Sequence, residues 1–215
     1  MSFEEVDSIP YTNENGDKIP HKRLERQEQL DAWEFIPSDA CVLELGGRYG
    51  MVSCVINQKL QQRENHVVVE PDLTVHEALL LNRKTHGASF SVWPGIVSKR
   101  QLFLNAMGFS TYCSDISNAY PVAYCSPSDL QVKTGIPQFT HLVADCEGGL
   151  ITFWEDFPEF FDNLQGIYFE LDNNGPTIIS YETFIQFLES KGFVQEKQGK
   201  RQFWIRSPEN SKPSE

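Results

Sequence analysis

No apolar run in the 215 residues reaches the roughly 20 that a membrane-crossing helix needs, and the opening Met1-Ser-Phe-Glu-Glu-Val-Asp is acidic where a secretory leader would be basic. A cytoplasmic chain without a membrane span is expected. Cysteine is sparse: the five (41, 54, 113, 125, 146) are odd in number, form no C-x-x-C pair and do not cluster with the five histidines. That pattern predicts reduced thiols and excludes a disulfide framework or a thiolate metal site. Positive charge is also scarce, with 18 Lys and Arg against 30 Asp and Glu and a formal charge of −12. Such a surface neutralises few phosphates, so nucleic acid is disfavoured as a partner, and the pairs Lys99-Arg100 and Lys200-Arg201 are too small for a nucleic-acid footprint.

What is present fits one globular domain, at 40% apolar residues. Residues 1–21 are polar and broken by Pro10, Asn15-Gly16 and Pro20, which predicts an irregular arm. The domain then runs over 22–207, and 208–215 form a polar tail. Within it, Val42, Leu43 and Leu45 form a short buried strand, three glycines follow, and Met51-Val-Ser-Cys-Val-Ile56 reads as a helix. His66 to Glu70 is a second strand, and Thr74-x-x-Glu77 has the form of a capping box opening the next helix.

Glycines at a strand-to-helix turn let backbone approach a ligand, and the helix start presents unpaired N–H groups. Glu70 ends its strand about twenty residues after Gly50, where an acidic side chain can grip a ribose diol. Together these predict a nucleoside-containing cofactor. A dinucleotide fingerprint ending at Gly50 would need glycine at 45, which is leucine. Glu44 with Gly46, Gly47, Tyr49 and Gly50 instead gives the acidic-x-Gly-x-x-x-Gly form of class I S-adenosylmethionine (SAM) methyltransferases. A carboxylate at 44 would suit the ammonium of a methionine and repel a pyrophosphate.

Further along, Phe90-Ser-Val-Trp93 is a third strand, ending at Pro94-Gly-Ile-Val-Ser98, where Ile96 and Val97 are placed to hold an adenine. Residues 99–127 break into short alternating pieces and a Ser/Asn/Tyr/Pro-rich loop, expected as an insertion over the pocket, with Tyr112, Tyr120 and Tyr124 as acceptor-site candidates. His141-Leu-Val-Ala144 is a fourth strand that delivers Asp145 and Glu147 to the edge where open α/β sheets bind ligands. Leu150, Phe153, Trp154 and Phe157 recur at helical spacing as a core stripe. A fifth strand, Gly166-Ile-Tyr-Phe169, an amphipathic helix through Tyr181, Phe184 and Leu188, and a terminal hairpin complete the pattern. The fold class is therefore α/β: a Rossmann-like class I methyltransferase sheet, mostly parallel, with a C-terminal antiparallel hairpin strand.

Over roughly residues 38–175 the chain resembles the FkbM family of SAM-dependent methyltransferases. The echoes, in order, are Glu44-Leu-Gly46-Gly47, Glu70-Pro71, Leu79-Leu-Leu-Asn82, Gly95-Ile-Val-Ser98, Ser128-Asp-Leu130 and Asp145-Cys-Glu147-Gly148. Glutamate stands at 44 where the family usually has aspartate, and Gly149-Leu150 where members commonly continue Ala-Glu. The resemblance implies O-methylation of a hydroxyl on a small-molecule or glycan acceptor.

A hydroxyl needs a base or a cation to become nucleophilic. Asp145 is the first candidate base, with Glu147 as support; His66, His76, His86 and His141 are expected to be structural or exposed. A divalent cation, Mg²⁺ or Mn²⁺, is left open: Asp145 with Asp172-Asn173 would offer hard oxygen ligands at adjacent strand ends. Two alternatives also stay open, an NAD-dependent sugar-modifying Rossmann enzyme and a catalytically inactive SAM-binding module. The oligomeric state is not legible in the sequence.

Overall fold

The computed structural model describes residues 1–20, 25–105, 118–171 and 181–207, and the backbone of 111–112. In chain order the elements are α1 (Phe3–Ser8), α2 (Arg26–Phe35), β1 (Val42–Leu45), α3 (Met51–Lys59), β2 (His66–Val69), α4 (His76–Thr85) and β3 (Ser91–Trp93). Five short strands follow: β4 (Ile96–Val97), β5 (Phe103–Asn105), β6 (Thr111–Tyr112), β7 (Ala119–Pro121) and β8 (Tyr124–Cys125). The second half comprises α5 (Pro127–Thr134), β9 (His141–Ala144), α6 (Gly149–Asp156), β10 (Gly166–Glu170), α7 (Tyr181–Ser190), β11 (Phe193–Lys197) and β12 (Arg201–Arg206).

Seven of these strands make the central sheet, in the order β11-β12-β10-β9-β1-β2-β3. All neighbours are parallel except those of β12, which runs antiparallel to both β10 and β11. Strands β1, β2 and β9 are buried along their whole length because helices cover both faces, which is why apolar residues dominate them. Chain order reverses at β1, with β2 on one side and β9 on the other, and that switch point opens a crevice at the carboxyl edge.

Alternation within each strand sorts the core. Leu43, Leu45, Val67, Val69, Leu142 and Ala144 face one side with Phe153, Phe161, Phe169 and Phe184, where Phe184 meets Phe161 and Phe169 edge-on. Val42, Val143 and Tyr168 face the other with Val52 and Ile56 of α3. Helix α3 is buried from Met51 through Asn57, so it lies inside the molecule instead of on its surface.

Two expectations change. The first twenty residues are not an irregular arm: α1 is closed by a capping box between Ser2 and Glu5, and Val6, Tyr11 and Ile19 are buried. Tyr11 donates to the carbonyl of Met51 at 3.1 Å, and Asn82 bonds the backbone of Thr12 in both directions, which seals this segment onto α3 and α4. The Thr74 capping box does not form, because Asp72 lies two residues nearer and caps the 3₁₀ turn Leu73–Val75 by accepting from Thr74 N–H. Within 99–127, as the alternating pieces predict, β5 pairs with β6 and β7 as a small antiparallel sheet, and β8 pairs with β4.

Candidate active site

At the switch point lies a cavity of about 270 Å³. Leu45, Gly46 and Arg48 from the first turn, Val69, Glu70 and Pro71 from the end of β2, and Ile96 and Val97 from β4 form one side. Asp145, Cys146, Glu147 and Gly149 from the β9–α6 turn, Thr152 and Phe153 from α6, Leu102 and Glu25 close it. Among the described non-glycine residues four have positive φ, and three of them, Glu25 (50°), Arg48 (38°) and Glu147 (47°), line this cavity. Such conformations cost of order 1–3 kcal/mol each and gather at binding sites, where the surrounding structure holds them.

Glu70 is 4% exposed. Its two oxygens accept from the backbone N–H of Arg48 at 2.6 Å and of Asp72 at 2.7 Å. Burial pushes its carboxyl up to about 7 against those two hydrogen bonds. Beside it, Val69, Pro71, Ile96, Val97 and Leu102 make an apolar slot. The β4 wall of that slot is pinned from behind, since Asp156 of α6 accepts from Ser98 Oγ at 2.6 Å and Lys99 N–H at 3.0 Å.

The remaining residues of the first turn behave differently from expectation. Glu44 does not reach the cavity: strand alternation turns it to the α3 face, 2% exposed, where its oxygens meet Ser53 Oγ at 2.8 Å and His66 Nε2 at 2.8 Å. It is therefore corrected from a cofactor-facing carboxylate to a buried brace between β1, β2 and α3. Tyr49 also turns away, its hydroxyl donating to Glu14 at 2.6 Å. Gly47 and Gly50 are packing glycines, since a Cβ would overlap the side chain of Val68 at the first and of Leu79 at the second. Gly46, φ 93°, does line the cavity, and a Cβ there would overlap the carbonyl oxygen of Asp145. That close crossing seats the first turn against the β9 end.

The other end of the cavity is acidic. Asp145 and Glu147 sit there as the sequence places them, and Glu25, at the start of α2, joins them. Burial, then the charges of Asp145 and Glu28, push Glu25 up to about 8. Behind this group, ligand oxygens of Glu28, Asp145 and Glu170 lie within 4.8 Å of one another, an arrangement able to hold a cation. The chain supplies that charge itself: Arg201 bonds Glu28 and lies 3.2 Å from Glu170, and Lys200 bonds Glu170. The other expected metal pair, Asp172-Asn173, lies outside the described residues.

Sequence reasoning missed several lining residues, among them Glu25, Arg48, Leu102 and Thr152. Only Arg48 carried a signal, its place inside the glycine turn; Glu25 stands in a polar helix-like stretch that nothing local marks as a cavity wall. The four histidines are structural or peripheral, as expected: His66 holds Glu44, His76 the Glu70 carbonyl and His86 the Pro10 carbonyl, while His141 is buried in β9. Tyr120 borders a second hollow with Glu14, Arg48, Asp72 and Leu73, Tyr124 is 47% exposed, and the side chain of Tyr112 is not described.

No family model matches the sequence, and no curated protein matches it. Among solved structures the chain is similar to a protein of Pyrococcus horikoshii provisionally assigned as an RNA methyltransferase, at 12% identity over 98% of this chain and 96% of that one, with a TM-score of 0.51. It is similar to a protein of the NADB-Rossmann superfamily from Streptococcus agalactiae, at 12% identity over 83% and 66% of the two chains, with a TM-score of 0.50. The fold is thus Rossmann-like α/β of the methyltransferase kind. Among the described residues no helix is long and apolar enough to cross a membrane.

Proposed function

We propose that the chain is a SAM-dependent methyltransferase acting on a hydroxyl of a small, uncharged molecule or sugar. The carrying observation is Glu70, held by two backbone N–H groups at the end of β2 and facing the same cavity as Gly46 and Asp145. A carboxylate in that position accepts from both hydroxyls of a ribose, and the apolar slot beside it suits a purine. The residues present thus fit the nucleoside half of SAM. Bound there, SAM would supply a methyl group on a positively charged sulfur that leaves as a neutral thioether.

Glu25, Asp145 and Glu147 form the end of the cavity away from the slot and favour a cationic sulfur while opposing anionic groups. The same carboxylates speak against a dinucleotide pyrophosphate, and so against the NAD reading, and against nucleic acid as acceptor. The hydroxyl comes from the FkbM resemblance, and so does glycan as the preferred acceptor. Thr152 and Phe153 bound the space in which an acceptor would be positioned.

Calorimetry with SAM, S-adenosylhomocysteine (SAH) and NAD, followed by transfer of a labelled methyl from SAM to a panel of neutral sugars and polyols, tests this. Binding of SAM and SAH without NAD, with label appearing on a neutral hydroxyl, is expected. NAD binding in preference to SAH, or label appearing only on RNA or another anionic acceptor, overturns the proposal.

A further inference from the structure

We propose that Glu25 is the residue that receives the acceptor's proton, and that it is emptied for that role by the positive charge of the methyl donor entering the cavity. The inference rests on the SAM reading and goes beyond it by assigning the base to a residue outside every motif in the sequence.

Glu25 lines the same cavity as Asp145 while belonging to a different element, as the left-handed residue at the N-terminus of α2, so the cavity receives two carboxyls from separate parts of the chain. Three neighbouring acids are committed elsewhere: Glu70 to two backbone N–H groups, Glu28 to Arg201, and Glu170 to Lys200 and Arg201. Among the described residues no hydrogen bond reaches the Glu25 carboxyl. Among the described residues the charges that act on it include Asp145 from β9, Glu28 from α2 and Glu44 from β1, which oppose its ionisation, and Arg48 from the first turn, which favours it. Tyr11 of the N-terminal segment faces it as well.

Two carboxyls in one pocket do not both ionise readily. With burial holding Glu25 at about 8, its carboxyl is protonated at neutral pH. A cation in the same cavity reverses the balance, and Glu25 releases its proton to solvent. The carboxylate left behind takes the acceptor's O–H proton during transfer and keeps it once the neutral thioether and product leave, which restores the resting state, so the one proton released per turnover is the one expelled on donor entry. A base with a raised pKa takes a hydroxyl proton with more driving force than an ordinary carboxylate. Because SAH lacks the charge, donor and product differ in proton release though they share every nucleoside contact.

The test needs no acceptor. SAM and SAH affinities are measured by calorimetry from pH 6 to 9, each in phosphate and in Tris, whose ionisation enthalpies differ. SAM is expected to release a proton that SAH does not, and the SAM-to-SAH affinity ratio to rise at least fivefold between pH 6 and pH 8. Glu70 meets the ribose of both ligands, so its own titration cancels in the ratio. Glu25→Gln should flatten the ratio, Glu25→Asp should keep its slope, and Asp145→Asn should move the slope to lower pH by removing a like charge. On the acceptor found by methyl transfer, Glu25→Gln should lower kcat at least a hundredfold and abolish its rise with pH. A flat wild-type ratio, an unchanged slope in Glu25→Gln, or wild-type kcat in that variant overturns the assignment. Failure of the parent reading looks different, because then neither SAM nor SAH binds.

Discussion

The backbone N–H of Arg48 donates to the Glu70 carboxylate at 2.6 Å, tying the glycine turn after β1 to the end of β2. Arg48 holds a left-handed conformation, φ 38°, to make that bond, so the carboxylate and the turn are positioned together.

Replacing Glu70 by Gln should raise the SAH dissociation constant tenfold or more, since a hydrogen bond to a charged acceptor is worth about 1.5–3 kcal/mol. Wild-type affinity for SAH should also weaken below about pH 7, as Glu70 takes a proton, and the variant should lose that dependence. Calorimetric titration across pH reads both effects, and an affinity that ignores the substitution removes Glu70 from the ribose.

Folding stability should fall as pH rises from about 5 to 8.5. Glu25 and Glu70 have folded values of about 8 and about 7 against the ordinary glutamate value of 4.5, so between those limits the folded chain binds more protons than the unfolded one. Stability is then full below the unfolded value and is lost as pH passes the folded ones. For Glu70 the loss is on the order of 3 kcal/mol at most. Urea midpoints for wild type and Glu25→Gln should converge at pH 5 and separate at pH 8.5, with the variant higher; parallel curves would refute the shift.

Gly46→Ala should destabilise the fold by about 2 kcal/mol or more, because the new Cβ meets the Asp145 carbonyl and φ is 93°. The damage is to the junction of β1 and β9 before it is to ligand binding. Chemical denaturation at fixed pH measures it, and a wild-type midpoint would show that the two strand ends separate freely.

Asp156→Ala should weaken binding of SAH and of adenosine alike by several-fold while leaving the secondary structure intact. Ser98 Oγ and Lys99 N–H lose their shared acceptor, and the Ile96–Val97 wall loses its hold on α6. Equal adenosine affinity in both proteins would place the purine elsewhere.

The sheet was legible because parallel strands covered on both faces are mostly apolar, as Val42–Leu45, His66–Val69 and His141–Ala144 are. Glu70, Ile96, Val97 and Asp145 were legible for the same reason: each follows a strand end, and the carboxyl edge of a parallel sheet is fixed by its topology. The N-terminal segment was misread, since its buried residues, Val6, Tyr11 and Ile19, are too widely spaced to show a period.

By itself, then, the sequence determined the order of strands and helices and the edge at which a ligand binds, because periodicity and glycine placement are local properties of the chain. Only the tertiary structure decided which carboxylates face the cavity. One step along β1 turns Glu44 into the interior beside His66, and the packing of α2 against the sheet brings Glu25 to Asp145 from 120 residues earlier in the chain. Strand alternation relative to a particular covering layer, and the meeting of distant elements, are set by how the layers pack and leave no mark in local spacing.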